Sequence, residues 1–205
     1  MKLILFLLNS LILSACTLVG IRQSEQPDYQ CLLKDGRYEI RLYPELMTAE
    51  TTVAGDYKSA SDHSFRRLAA FIFGNNIRRE SVAMTTPVFQ ESVSESIAMT
   101  IPVLQEAEPQ AWRMSFIMPK NYRLETLPVP VDTNISLNKL AERKVAVISY
   151  SGSLSQESIN YYSKQLIDWL NRRSIKMISQ PKSAAYDPPW TIPNLRHNEI
   201  QIDIE

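Results

Sequence analysis

Few residues in this chain could carry out acid–base, nucleophilic or metal chemistry. There are two histidines, His63 and His197, so a Ser-His-Asp triad would have to use one of them and a histidine-rich metal cluster is excluded. His63 lies at the start of a predicted helix and His197 in a polar loop, so each is interpreted as a solvated polar residue. Motifs of serine hydrolases, zinc proteases and phosphate-binding loops are absent from the sequence. The sequence therefore predicts a protein that is not an enzyme.

The first of two cysteines, Cys16, lies where modification is expected. Nine of the eleven residues in Leu3–Leu13 are apolar, a run too short to span a bilayer but typical of a secretory signal peptide. The following Leu13-Ser14-Ala15-Cys16 resembles a bacterial lipobox, in which the cysteine is lipidated. An ordinary cleaved signal with an incidental cysteine is the alternative. Thr17, in place of an aspartate, favours the cell envelope at the periplasmic face of the outer membrane.

These signals divide the chain into three parts. Residues 1–15 are predicted to be a signal peptide, residues 16–27 a lipidated cysteine with a polar tether, and residues 28–205 a folded domain. The membrane contact is then made through the N-terminal lipid. With Cys16 lipidated, Cys31 has no partner for an intramolecular disulfide, and we expect it to be a buried small hydrophobe.

Composition narrows the class of the folded part. The 205 residues are 44% hydrophobic and 21% charged, with 22 basic and 22 acidic residues. Such a chain is globular, and its charge balance argues against binding nucleic acid through phosphate contacts.

Alternating and helical spacings predict the elements that position any site. Strands are predicted around Tyr38–Leu42, Met47–Val53, Trp112–Met118, Val145–Tyr150 and Ile200–Ile204. Helices are predicted at residues 58–73, capped by Ser61 or Asp62, and at 155–172, with Ser153 and Gln156 as a capping box. Residues 120–140 are expected to form a crossover. This order predicts an α+β domain of two similar halves whose antiparallel sheet approaches a barrel.

A duplicated segment follows the first predicted helix. Ser81–Gln90 and Ser96–Gln105 are identical at seven of ten positions, which predicts two strands of one hairpin. Four methionines of this region could line an adaptable hydrophobic pocket or be ordinary core residues. They are Met84, Met99, Met114 and Met118.

Several segments together resemble the SOUL haem-binding family. They are Tyr38–Pro44, Phe65–Leu68, the doubled Ala-Met-Thr-x-Pro-Val, and Tyr186–Trp190 with Asn198–Ile200. The match runs in order over nearly the whole chain after the signal. The resemblance implies a distorted antiparallel β-barrel flanked by two α-helices, built from two pseudo-repeated halves. It also implies reversible, non-covalent binding of haem or another tetrapyrrole as a ligand, not as a catalytic cofactor.

The same resemblance suggests where the ligand binds. Some animal members are proposed to use an axial histidine, and its position is occupied here by Leu42. Other members are thought to hold the porphyrin in a hydrophobic cleft along the first helix, with basic residues near the propionates. On that pattern the contacts here are Phe65, Arg66, Leu68, Ala69 and Ile72. His63 is the nearest histidine and a weak candidate for an axial ligand.

Two functions are compatible with these features. The first is a membrane-tethered binder of haem or another tetrapyrrole, serving transport, buffering or sequestration. The second is an envelope lipoprotein of the same fold that presents a groove to an unknown protein partner and does not bind haem.

Overall fold

The computed structural model describes residues 24–93, 111–188 and 190–205. Nine strands and two long helices lie within these ranges. The strands are β1 Gln30–Asp35, β2 Tyr38–Tyr43, β3 Leu46–Ala54, β4 Val88–Ser92, β5 Ala111–Ile117, β6 Ser136–Leu140, β7 Arg143–Tyr150, β8 Lys182–Ala185 and β9 Asn198–Ile204. The helices are α1 Tyr57–Ile72 and α2 Gln156–Arg172.

The strands form one antiparallel sheet in the order β1-β2-β7-β9-β8-β4-β5-β3-β6. The sheet curls into a half-barrel. Helix α1 packs against β3 and β5, whereas α2 packs against β7 and β9. The α+β class with a curled sheet, two helices and two similar halves is thereby confirmed.

Each helix contributes its apolar stripe to a separate core. Leu68 and Phe71 of α1 are fully buried against Phe116 of β5. Leu166 of α2 is likewise buried against Ile200 of β9. Burial of these stripes, more than helix propensity, accounts for helices of this length.

The predicted helix positions are confirmed, but both predicted caps are wrong. Helix α1 begins earlier, where the Asp56 carboxylate accepts a hydrogen bond from the Ser59 amide at 3.0 Å. At α2 the Ser155 hydroxyl accepts from the Ser158 amide at 3.2 Å. Several serines and aspartates lie near the start of each helix. Which of them caps the helix depends on the direction in which the chain enters it.

The duplicated segment is only half described. Its first copy contributes β4 from Val88 onward, which pairs with β5 and β8. The second copy, residues 96–105, lies outside the described residues, so the hairpin between the copies stays a prediction. The prediction that residues 120–140 form a crossover is wrong for the last residues of this stretch, because they form β6, which pairs with β3.

Every described helix and strand lies between residues 30 and 205, and so do the described residues of both cores. A chain that begins at residue 17 therefore contains the whole described fold. None of the described helices is both long and apolar enough to cross a membrane. The predicted signal peptide and Cys16 lie outside the described residues.

Candidate functional site

The predicted porphyrin surface on α1 is only partly accessible. Phe65 is 39% exposed, Arg66 is exposed and Ala69 is half-buried. Leu68 and Ile72 are fully buried in the core beneath the helix, so in this conformation they cannot touch a ligand on its outer face. The helical spacing identified one apolar stripe on α1, but most side chains of this stripe are buried in the core and not exposed to a ligand.

Two side chains of this α1 surface, Phe65 and Arg67, contact the sheet and a loop. The Phe65 ring packs edge-on against Phe116 with 5.6 Å between centroids. Arg67 donates to the Thr51 hydroxyl at 2.8 Å and pairs with Asp132 at 3.0 Å. Arg67 is thus committed to the fold, and Arg66 is the arginine of this pair that remains available to an anion.

The two histidines have different environments. His63 is exposed on α1, which confirms its interpretation as a solvated residue. The same interpretation is wrong for His197, whose side chain is only 29% exposed. Its Nε2 lies 2.9 Å from Oε1 of Glu199, and its ring packs edge-on against Tyr186 at 4.6 Å.

Strand β2 places its charged residues toward the inside of the half-barrel. Arg41 is 4% exposed, whereas Ile40 and Leu42 are half-buried on the face under α2. Arg41 donates from Nη2 to Oε1 of Glu199 at 2.9 Å and from Nη1 to Oε2 at 3.1 Å. Its Nε donates to Glu39 at 2.7 Å. The sequence alternation located the strand correctly, but the charged side is the more buried one.

The Glu199 carboxylate is fully occupied by donors. Besides Arg41, it accepts from the Tyr186 hydroxyl at 2.7 Å and from Gln201 Nε2 at 2.8 Å. Burial would raise its pKa, but the hydrogen bond from His197 and the attraction of Arg41 outweigh burial and lower the pKa to about 2. Burial and the neighbouring carboxylate raise the pKa of Tyr186.

This inner cluster links β2 to β9 and stabilises the fold. Each Glu199 oxygen already has its hydrogen bonds and is closed to water, so neither oxygen is available to accept a substrate proton. No group of three or more potential metal ligands occurs among the described residues. Cys31, expected to be buried, is exposed on edge strand β1.

A cavity of about 590 Å³ lies where β3 begins and β5 ends. This volume falls within the range of small-molecule sites, about 300–1,000 Å³. Its apolar side chains come from segments far apart in the sequence: Leu46, Met47, Ile117, Met118, Tyr122 and Leu124. Sequence reasoning missed this site because no local spacing links these positions.

Charged residues line the cavity rim. Lys139 pairs with Glu45 at 2.7 Å, and Lys120 lies 3.6 Å from Asp28 of the N-terminal segment. Arg123 also lines the cavity, and its guanidinium has no ion pair or hydrogen bond with the residues that the structure describes. It is therefore a cation available to an anionic group of a ligand.

The cavity combines apolar side chains with both basic and acidic ones, and the acidic ones are Glu25, Asp28, Glu45 and Glu125. A porphyrin needs an apolar environment for its ring and a cation for its propionates. Met118, one of the four pocket candidates, lines the cavity from the core of α1, in which Met114 is also buried and against which Met84 packs. Met99 lies outside the described residues. Methionine and tyrosine can also coordinate haem iron, so the half-buried Met47 and Tyr122 are the candidate ligands here. None of the described lining residues is a histidine.

Comparisons with known proteins agree with the fold. The family profile described as SOUL heme-binding protein matches residues 24–203. Comparison with curated protein sequences finds no significant match. Among solved structures, the C-terminal domain of EcmrR is similar at a TM-score of 0.59 and 13% identity, covering 86% of this chain and 98% of that chain. An uncharacterised conserved protein from Listeria innocua is similar at 0.55 and 10% identity, covering 82% and 92%. A hydrolase from Listeria innocua is similar at 0.53 and 8% identity, covering 85% and 94%. At these identities the structures show a shared fold alone.

Proposed function

Because the chain belongs to the SOUL haem-binding family, we propose that it binds haem or another tetrapyrrole non-covalently, for transport, buffering or sequestration. The observation that carries the proposal is the family match over residues 24–203. The tetrapyrrole is a carried ligand, and the protein is not an enzyme. The saturated environment of Glu199 and the absence of catalytic motifs support this part of the proposal.

The ligand binds in the cavity beside β3 and β5. There, apolar side chains surround the ring on several sides, whereas the outer face of α1 could cover one side only. Met47 and Tyr122 contact the ring, and Arg123 binds a propionate. The α1 surface of Phe65, Arg66 and Ala69 is the competing location that the sequence favours.

Attachment to the membrane is part of the same proposal. Lipidated Cys16 holds the domain at the periplasmic face of the outer membrane after removal of residues 1–15. The support comes from the apolar run and the lipobox pattern in the sequence.

A second candidate function is an envelope interaction module that does not bind haem. Two observations favour it. Leu42 occupies the position of the proposed family histidine, and apolar side chains are exposed near the end of α1, as for Phe73 at 69%.

Titration of haemin into the chain from residue 17 onward distinguishes the two functions. Tetrapyrrole binding predicts a saturable shift of the Soret band that is complete at one equivalent. A purely interacting module predicts only the spectrum of free haemin. A matched measurement with the Leu124→Glu variant locates the site, since Leu124 lines the cavity and is 44% exposed.

A further inference from the structure

An apolar patch of four exposed side chains lies beside the C-terminal end of α1. It consists of Phe73, Ile77, Val129 and Val131, with exposed fractions of 69, 68, 55 and 57%. Single exposed apolar residues are common, but a group of them on adjoining loops is typical of a surface that contacts a membrane or another molecule.

The two loops that form the apolar patch are joined to each other. The Ile77 amide donates to the Val129 carbonyl at 2.9 Å, and Asn76 forms an antiparallel bridge with Pro130. This antiparallel direction places Val131 toward the Phe73 side of the loop. Ile77, Val129 and Val131 therefore lie on paired segments, and Phe73 precedes the first of these segments at the end of α1.

A buried amide fixes the shape of the first loop. Asn76 is 2% exposed. Its Nδ2 donates to the carbonyls of Phe71 and Glu80 at 3.1 and 2.7 Å, and its Oδ1 accepts from the Glu80 amide at 3.1 Å. The loop is thus held in a conformation that leaves Phe73 and Ile77 in solvent.

Two arginines lie next to the apolar patch. Arg78 and Arg79 are exposed, and Arg79 has a φ of 54°, in the left-handed region where glycine is usual. An arginine retained in this strained conformation suggests a use for its side chain. Of the neighbouring acids, Asp132 is paired with Arg67 at 3.0 Å. Glu80 and Glu125 are exposed, and Glu125 precedes the Thr126 carbonyl that Arg78 contacts.

The patch and the N-terminal segment border the same loop. The Lys120 amide donates to Glu25 at 3.2 Å, and Arg78 donates to the Thr126 carbonyl at 3.4 Å. The first described residues therefore lie on this side of the domain. Seven residues lie between Cys16 and Ser24, and the eight steps from one to the other reach at most about 28 Å.

We propose that the apolar patch, together with Arg78 and Arg79, rests on an anionic phospholipid bilayer. Phe73 and Ile77 enter the boundary between headgroups and acyl chains, and the arginines bind headgroup phosphates. This contact adds a second membrane signal to the proposed lipid anchor and is independent of tetrapyrrole binding.

The test is cosedimentation of the chain from residue 17 onward with vesicles of phosphatidylglycerol and phosphatidylcholine in equal parts. We expect binding that weakens with added salt and is absent on pure phosphatidylcholine. Phe73→Ser combined with Ile77→Ser should abolish it. Arg79→Gly, which also relieves the positive φ, should weaken it about fivefold. Tyr161→Ser, at an exposed residue of α2, and Lys58→Gln, at the opposite end of α1, are the matched controls and should bind as the unmodified chain does.

Other occupants of the patch give different results. No binding to the anionic vesicles, or equal losses in the control variants, would overturn the proposal. Loss of haemin binding in the Phe73→Ser and Ile77→Ser variant without a vesicle effect would assign the patch to the tetrapyrrole. Dimerisation that disappears in that variant, again without a vesicle effect, would assign it to a second copy. Haemin titration of the unmodified chain tests the proposed function separately.

Discussion

Arg41 and Glu199 form a two-point ion pair across the interior of the half-barrel, although they are 158 positions apart in the sequence. The distances are 2.9 and 3.1 Å, and both side chains are almost fully buried. Strand β7 stands between β2 and β9 in the sheet, so the pair spans two strand spacings. It ties the N-terminal strands to the C-terminal strand.

Loss of this pair should destabilise the fold. The Glu199→Gln variant leaves the Arg41 charge with a weaker buried partner, so we expect a loss of about 3 kcal/mol in the free energy of unfolding. Denaturant unfolding followed by circular dichroism measures it. The control is Glu45→Gln, which breaks an exposed pair with Lys139 and should cost less than about 1 kcal/mol. Equal effects of the two variants would contradict the structural role assigned to the buried pair.

The same carboxylate predicts an acid-dependent stability. The pKa of Glu199 is lowered from 4.5 to about 2 in the folded protein, so its contribution is fully present above pH 4.5 and is lost as the pH falls toward 2. The contribution is about 3 kcal/mol at most. Unfolding measured from pH 6 to pH 2 should show this loss in the unmodified chain. The decline should be shallower in Glu199→Gln, and identical slopes would be inconsistent with the lowered pKa.

Two carboxylate substitutions separate the candidate tetrapyrrole sites. Leu124→Glu places a charge at the cavity wall and should weaken haemin binding by tenfold or more, because an unpaired carboxylate is costly in an apolar site and repels propionates. Ala69→Glu makes the same change on α1, as a matched comparison. If haemin titrations show a loss of affinity only for Ala69→Glu, the tetrapyrrole binds at Phe65, Arg66 and Ala69 and not in the cavity.

Iron should contribute little to affinity. The position of the family's proposed axial ligand is Leu42, and the described cavity lining has no histidine. Iron-free protoporphyrin should therefore bind within about tenfold of haem, a difference of roughly 1.4 kcal/mol. His63→Ala should leave both affinities unchanged. A much stronger preference for haem that vanishes in Tyr122→Phe would instead identify a tyrosine ligand in the cavity.

Lipidation should depend on one cysteine. Metabolic labelling with palmitate should mark the unmodified chain, and Cys16→Ala should abolish the label because the lipobox cysteine is the acceptor. Cys31→Ala is the matched control and should retain the label, since Cys31 is exposed but lies beyond the lipobox. Label that persists in Cys16→Ala would disprove the lipobox prediction.

The sequence was informative where a pattern is local. Phe65, Leu68, Ala69 and Ile72 follow the helical period, and this spacing placed α1 within one or two residues of its observed ends. Alternation in β2 and β9 likewise located both strands. The spacing could not say which side of a strand is interior, because a curled sheet covered by helices buries both sides. The inward placement of Arg41 and Glu199 followed from that curvature.

The sequence by itself determined the elements, the two-helix α+β class and the family resemblance, because hydrophobic period and short motifs are properties of neighbouring residues. Tertiary structure decided which residues a ligand can reach. It buried Leu68 and Ile72, exposed Cys31, and joined His197 to Glu199. It also brought residues from 25 to 139 around one cavity. These outcomes depend on how separate segments pack, since a cavity is enclosed by side chains whose positions no local period relates.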